Sequence, residues 1–131
     1  MIYADANVVI RLIEGDDKAR LPLETRLAPL RGSGRFFLTS RLTWLETRIK
    51  PLRKKNTDLL LLYDAFFSSF EVECLEITAQ IIEKAAHLRA MLNMKTPDAI
   101  HLASAIIAGA EAFLTGDRTL TRCRDIAVEV L

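Results

Sequence analysis

Residues 2–7 read Ile-Tyr-Ala-Asp-Ala-Asn, a short apolar run that ends at an acidic residue. After Asn7 the apolar residues recur at helical spacing until Gly15, so this stretch predicts a strand, then Asp5, then a helix. Near the other end, residues 112–117 read Ala-Phe-Leu-Thr-Gly-Asp, again a strand followed by an acid. Both acids therefore come just beyond the carboxyl end of a strand, where open α/β sheets form their sites.

Strand and helix patterns alternate along the rest of the chain. Residues 35–40, 72–77 and 126–130 read as the other strands. Five short apolar strands separated by helices predict parallel pairing with helices on both faces, which is a three-layer α/β/α sandwich. No repeat or linker interrupts the pattern, so we expect one domain over residues 1–131.

Local signals set the expected helices. Asp16 or Asp17 begins the second helix, which Pro22 and Pro29 should break or shorten. Further helices should begin at Ser40, at Thr57, at Thr78 and at Thr96-Pro97. The helix after Thr57 carries so many apolar residues that we expect most of it to be buried.

Composition excludes several classes of protein. Of the 131 residues, 50% are apolar and 27% are charged, as in ordinary globular proteins, and the net charge is +1. No apolar run approaches the roughly 20 residues that a membrane span needs. The first residues lack the pattern of a secretory signal, and Cys74 and Cys123 have no paired spacing. We therefore expect a cytoplasmic protein without a membrane partner.

Four acids of the sequence occupy two kinds of position on the predicted helices. Asp5, Asp98 and Asp117 each precede or begin a helix, where a carboxylate caps backbone N–H groups or favours the helix dipole. Glu46 differs because it shares a helix face with Leu42 and Ile49, which predicts a carboxylate at the edge of a buried stripe. A charge there needs a counter-charge, and either a metal ion or a nearby arginine would provide it.

Together the four acids indicate a specific chemistry. Several carboxylates within a few ångström cannot all stay ionised without cations. Ligands that are all oxygen favour Mg²⁺ or Mn²⁺ over zinc. Such a cluster suits attack of water on a phosphodiester.

The motifs occur in a recognisable order. Asp-x-Asn follows the first strand (Asp5, Asn7), Glu46 lies in a mid-chain helix, residues 96–101 read Thr-Pro-Asp-Ala-Ile-His, and residues 114–117 read Leu-Thr-Gly-Asp. This order and spacing resembles the PIN domain, specifically the VapC-type toxins of bacterial and archaeal toxin–antitoxin pairs. The resemblance covers nearly the whole chain.

The resemblance implies a five-stranded parallel sheet in the order 3-2-1-4-5. It implies a metal-dependent endoribonuclease, the toxin of a type II toxin–antitoxin pair, which hydrolyses RNA phosphodiester bonds with a metal-activated water. The acids that would bind Mg²⁺ or Mn²⁺ and act in catalysis are Asp5, Glu46, Asp98 and Asp117. Asn7 and Thr115 match polar positions that typically orient the cluster or its water. The implied partners are RNA, a VapB-like antitoxin and a second copy of the chain.

Two other functions stay open at this point. One is a PIN-like module that binds RNA or a protein without cutting, and the other is an RNA-maturation nuclease outside toxin–antitoxin control. Six basic residues and one acid lie between Arg41 and Lys55, a stripe that fits either an RNA backbone or a solvated helix face. We expect His101 to support or pack the site rather than transfer protons, and residues 59–70 to contribute to a dimer or antitoxin groove.

Overall fold

Five strands form one parallel sheet in the computed structural model, which describes residues 1–131. The strands are β1 (Ile2–Ala4), β2 (Phe37–Ser40), β3 (Val72–Leu75), β4 (Ala112–Thr115) and β5 (Ala127–Val130). They lie in the order β3-β2-β1-β4-β5, and each neighbouring pair is parallel. Every residue of β1, β2 and β4 is buried, which explains why these strands carry no charged residue. The predicted fold class and strand order are confirmed.

Six helices cover the two faces of the sheet. They are α1 (Ala6–Glu14), α2 (Asp17–Leu27), α3 (Arg41–Arg53), α4 (Thr57–Ser68), α5 (Ala79–Leu92) and α6 (Thr96–Ile107). Short 3₁₀ turns follow α2, at Ala28–Leu30, and β4, at Arg118–Arg122. Four helices begin at a side chain that accepts a hydrogen bond from a first-turn backbone N–H. These capping residues are Asp5, Asp16, Asn56 and Thr78.

The sheet separates two apolar cores. On one side α5 and α6 pack against the central strands around Tyr3, Leu102 and Phe113, which have no exposed surface. On the other side α1, α2 and α4 pack around Val8 and Leu23. The carboxyl ends of the strands form the edge of the sheet at which the loops place polar side chains. None of the helices has the length and apolar character needed to cross a lipid bilayer.

The two prolines that were expected to break or shorten the second helix have different effects. Helix α2 runs through Pro22 without a break and gives way to a 3₁₀ turn at Ala28, just before Pro29. A proline inside a helix removes one hydrogen bond at a cost of about 3 kcal/mol. Full burial of Leu23 and Leu27 offsets that cost, so the expected break at Pro22 does not occur.

The prediction that most of α4 is buried is wrong. Only Tyr63 of this helix is buried, and Leu61 and Leu62 are 60% and 56% exposed. The cause is the run of four consecutive leucines from residue 59. Successive helical residues are about 100° apart around the axis, so such a run cannot all face the sheet.

Candidate functional site

The strand order brings two acids to one point of the sheet edge. Asp5 directly follows β1, and Asp117 lies two residues beyond the end of β4. Because β1 and β4 are parallel neighbours, their carboxyl ends meet at the same edge. The strand order also reverses between them, which is where open α/β sheets form their crevice. Helix α3, which carries Glu46, begins where the next strand, β2, ends.

Asp5 is the most buried of the four acids, with 7% of its surface exposed. Its Oδ1 accepts the backbone N–H of Val8 (3.0 Å), and its Oδ2 accepts the hydroxyl of Thr115 (2.6 Å). Burial raises the pKa of the Asp5 carboxyl, and the negative charge of Glu46 raises it further, while the two hydrogen bonds oppose the rise. The structure therefore holds this carboxyl firmly but at an electrostatic cost.

Glu46 is not where the helix pattern predicted it. The buried face of α3 consists of Thr43, Thr47 and Pro51, whereas Ile49 is 46% exposed. The predicted buried apolar stripe around Glu46 is therefore wrong, because α3 packs inward through small side chains and leaves Leu45, Ile49 and Leu52 exposed. Its polar partner is also a histidine rather than an arginine.

The histidine that meets Glu46 comes from α6. His101 Nε2 lies 2.8 Å from Glu46 Oε1, and the Glu46 side chain keeps 32% of its surface exposed. His101 Nδ1 lies 2.8 Å from the hydroxyl of Tyr3, which in turn lies 2.9 Å from Ser40 Oγ. Ser40 was expected to cap α3 through its side chain, but its hydroxyl bonds to Tyr3 instead. Both nitrogens of His101 are thus engaged inside the protein.

Asp98 has the least support from its surroundings. It lies in the first turn of α6, and its carboxyl is half-buried without a hydrogen bond or ion pair to any side chain. Burial raises its pKa first, and the negative charges of Asp117 and Asp5 raise it further. A partly desolvated carboxylate without a partner is a group that a cation would stabilise.

Asp117 begins the 3₁₀ turn that follows β4. Its Oδ1 accepts both the backbone N–H (2.9 Å) and the hydroxyl (2.7 Å) of Thr119, and these bonds lower the pKa of Asp117. The positive charges of Lys95 and Arg122 lower it further. Asp117 is exposed, so it is the acid that solvent reaches most easily.

The four acids form an electrostatic group rather than a closed cage. Asp5 responds to the charge of Glu46, and Asp98 responds to those of Asp5 and Asp117. No three histidine, cysteine, aspartate or glutamate side chains stand together in a group that could hold a metal ion by themselves. Mg²⁺, however, usually keeps several waters and takes only one or two protein carboxylates. The oxygen-only donors, the free carboxylate of Asp98 and the mutual repulsion therefore fit a hydrated hard cation.

The two predicted supporting residues have different surroundings. Thr115 donates to Asp5 Oδ2 and accepts the backbone N–H of Asp117 (3.0 Å), so it links two of the acids. Asn7 is exposed on α1 and is not among the hydrogen-bond partners of Asp5. Tyr3 was not predicted from the sequence to be a polar member of the site. The only available signal was a hydroxyl in an otherwise apolar three-residue strand.

Several solved structures have a fold similar to that of this chain. Solved structures with this fold include VapBC2 from Rickettsia felis bound to a promoter DNA fragment, with a TM-score of 0.78, 21% identity, and coverage of 100% of this chain and 99% of that chain. A toxin–antitoxin complex from Klebsiella pneumoniae gives a TM-score of 0.74 and 23% identity, covering 97% and 96%. VapC20 from Mycobacterium tuberculosis, described as a Sarcin-Ricin loop cleaving toxin, gives 0.72 and 20%, covering 93% and 94%.

Sequence comparison adds the family. No curated protein matches the chain. The family model of the PIN domain matches residues 2–126, which include all four acids and four of the five strands, with β5 lying just beyond the match. The chain therefore belongs to the PIN domain family.

Proposed function

We propose that this protein is a metal-dependent endoribonuclease that acts as the toxin of a type II toxin–antitoxin pair, with residues 1–131 working as one PIN domain. The observation that carries the proposal is the group of four acids at the reversal of strand order, two of which have raised pKa values. Perturbed acids in a crevice are typical of sites that bind cations or do chemistry. The VapC20 structure, of similar fold, is a toxin that cleaves the Sarcin-Ricin loop.

The proposed metal is Mg²⁺ or Mn²⁺. Asp5, Glu46 and Asp98 would be its principal ligands, and Asp117 would be the fourth, in part through water. Such an ion lowers the pKa of the attacking water and stabilises charge on the leaving oxygen of the phosphodiester. It would also relieve the repulsion that raises the pKa of Asp5 and Asp98.

The protein's own residues prepare the site before substrate arrives. Thr115 and the backbone N–H of Val8 hold both oxygens of Asp5, so its orientation is set before a ligand binds. Asp98 has no such restraint, so its carboxylate is free to turn toward the ligand. Catalytic groups held in advance lower the reorganisation that the reaction requires.

RNA binding is proposed at the cationic rim of the acids. Lys95 and Arg122 lie close enough to Asp117 to lower its pKa, so they flank the place where a phosphate would enter. The basic stripe from Arg41 to Lys55 is the weaker choice, because half of its six cations are already in ion pairs. These pairs are Arg41–Glu76, Arg48–Asp64 and Lys50–Glu14.

The proposed protein partners are a VapB-like antitoxin and a second copy of the chain, in the cytoplasm. The Rickettsia and Klebsiella structures are toxin–antitoxin assemblies, which supports the first. A cleft of about 130 Å³ opens between α1, α2 and α4 away from the acids, and apolar side chains such as Leu12 and Phe66 line it together with charged ones such as Arg20 and Glu24. The exposed Leu61 and Leu62 of α4 are further apolar side chains that an antitoxin segment would contact. Light scattering on the purified chain tests the homodimer.

The experiment that tests the activity uses protein freed of its antitoxin. Wild-type protein should cleave RNA with Mn²⁺ or Mg²⁺ and stop with chelator. The variant Asp5→Asn should lose more than about 100-fold in rate, since even residues that only support metal ligands cost 10- to 100-fold. Undiminished cleavage by Asp5→Asn would rule out the proposal. RNA binding without Mn²⁺ binding would favour the non-cutting module, and a neighbouring gene that encodes no small DNA-binding protein would favour the maturation nuclease.

A further inference from the structure

A chain of hydrogen-bonded side chains runs through the core and ends at one acid of the site. Ser40, at the end of β2, meets Tyr3 of β1 at 2.9 Å, and Tyr3 meets His101 of α6 at 2.8 Å. His101 then meets Glu46 of α3 at 2.8 Å. The chain therefore joins two neighbouring strands and two helices to a single carboxylate.

The first three members of this chain are almost completely inaccessible to solvent. Ser40 and Tyr3 have no exposed surface, and His101 has 3%. Burying polar groups is costly unless they are paired, so apolar side chains of similar size would be the simpler way to fill this space. The Tyr3 ring is additionally stacked on Phe113, with centroids 5.4 Å apart and planes at 9°. The Tyr3 hydroxyl that meets His101 is consequently held in place from the core.

This geometry decides between two roles for His101. A histidine that exchanges protons with RNA must reach the substrate through one nitrogen. Here Nδ1 faces Tyr3 and Nε2 faces Glu46 Oε1, and the ring is buried. His101 can therefore act on the site only through Glu46, whose Oε2 makes no hydrogen bond within the protein.

We propose that His101, anchored by Tyr3 and Ser40, is a positioning residue that orients the Glu46 carboxylate toward the cation of the acidic site. The inference rests on the proposed function, because it assigns the buried chain to the same metal site. Partners that hold metal-binding carboxylates and histidines typically change metal affinity or activity 10- to 100-fold when they are removed.

The protein contains a matched control for the test. Tyr63 is a second tyrosine with no exposed surface, and its hydroxyl donates to Glu14 on the other side of the sheet. Tyr3→Phe and Tyr63→Phe thus remove the same atom from two buried sites, and only one of these sites leads to Glu46. Calorimetric titration with Mn²⁺ measures affinity, and thermal unfolding measures any general loss of stability.

We expect Tyr3→Phe to weaken Mn²⁺ binding about 10-fold and Tyr63→Phe to leave it unchanged, with comparable losses of melting temperature. His101→Leu should weaken binding at least as much, and His101→Gln should recover part of it because the amide still donates to Glu46. Equal Mn²⁺ affinity in wild type, Tyr3→Phe and His101→Leu would overturn this inference alone. Absence of Mn²⁺ binding by the wild type would overturn the proposed function together with it.

Discussion

The acidic site has two differently built halves. The inner pair, Asp5 and Glu46, is held by side chains from the core: Thr115 donates to Asp5, and His101 contacts Glu46. The outer pair, Asp98 and Asp117, has no such support. The Asp98 carboxylate has no hydrogen-bond partner, and the Asp117 carboxylate bonds only within its own turn, to Thr119. The core thus fixes one half of the site and leaves the other free to adjust.

The two halves show how one small fold keeps several carboxylates together. An inner carboxylate that is buried needs fixed donors, because burial otherwise drives it to neutralise. Asp117 is exposed and Asp98 is half-buried, so both outer carboxylates keep some contact with solvent until a ligand arrives. We expect loss of an inner support to change the rate through orientation, and loss of an outer acid to remove a ligand outright.

The largest expected effect concerns ligand binding at the outer pair. At 100 times its dissociation constant, Mn²⁺ should raise the free energy of unfolding by about 2.7 kcal/mol, because it binds only the folded state. Asp98→Asn should remove most of this gain. Asp58→Asn is the matched control, since Asp58 occupies the first turn of α4 as Asp98 does in α6. Denaturant unfolding with and without Mn²⁺ measures the effect, and an equal gain in both variants would exclude Asp98 as a ligand.

The next effect compares one threonine from each half. Thr115→Val removes the donor to Asp5 and the acceptor for the Asp117 N–H, and should lower the cleavage rate about 10-fold. Thr119→Val removes one of two bonds to Asp117 but keeps the backbone N–H, so the rate should fall less than about 3-fold. Single-turnover cleavage at saturating Mn²⁺ gives the comparison. Equal losses in the two variants would remove the distinction between the halves.

The strands and helix starts of the fold can be predicted well from the sequence. Short uncharged strands and capping residues such as Thr78 follow local rules, and they locate the elements and the sheet class. The strand order and the grouping of the four acids came from the family resemblance, because strand neighbours are set by long-range packing. The reversal between β1 and β4 then explains why Asp5 and Asp117 share one edge.

The partners of each acid could not be predicted in this way. Helical spacing gave Glu46 an apolar face, yet α3 buries Thr43 and Thr47 instead, since helix packing favours close approach over hydrophobicity at this contact. The Glu46–His101 pair joins residues 55 positions apart. Such contacts depend on how two helices are placed relative to each other. The residue periodicity within one helix does not predict that placement.

A smaller effect concerns the pH dependence of stability without metal. Burial raises the pKa of Asp5, so the folded protein holds this proton more tightly than the unfolded chain. The resulting stability is fully present below the unfolded pKa of about 4 and is lost as the pH rises through the folded pKa. Asp5→Asn avoids this loss and should be about 1 kcal/mol more stable than wild type at pH 7, with little difference at pH 3.

Asp117 provides the opposite sign as a control for that measurement. Hydrogen bonds from Thr119 lower its pKa, so its contribution is present above the unfolded pKa and is lost as the pH falls through the folded pKa. Asp117→Asn should therefore not gain stability at pH 7. Urea unfolding with chelator at both pH values tests both variants, and a gain of the same size in each would contradict the assignment of burial to the inner acid.

The smallest effect concerns the cations that flank the outer pair. The positive charge of Lys95 lowers the pKa of Asp117 and opposes the rise in the pKa of Asp98, so Lys95 is near both outer acids. If it meets one RNA phosphate, Lys95→Gln should reduce the slope of log affinity against log salt by about 0.7, the value for one contact with a single strand. Measuring binding in the Asp5→Asn background keeps the RNA intact, and Lys18→Gln, at an exposed position of α2, is the control. An unchanged slope for Lys95→Gln, with a reduced slope for Lys54→Gln, would move the RNA to the end of α3 and leave the outer acids to the metal alone.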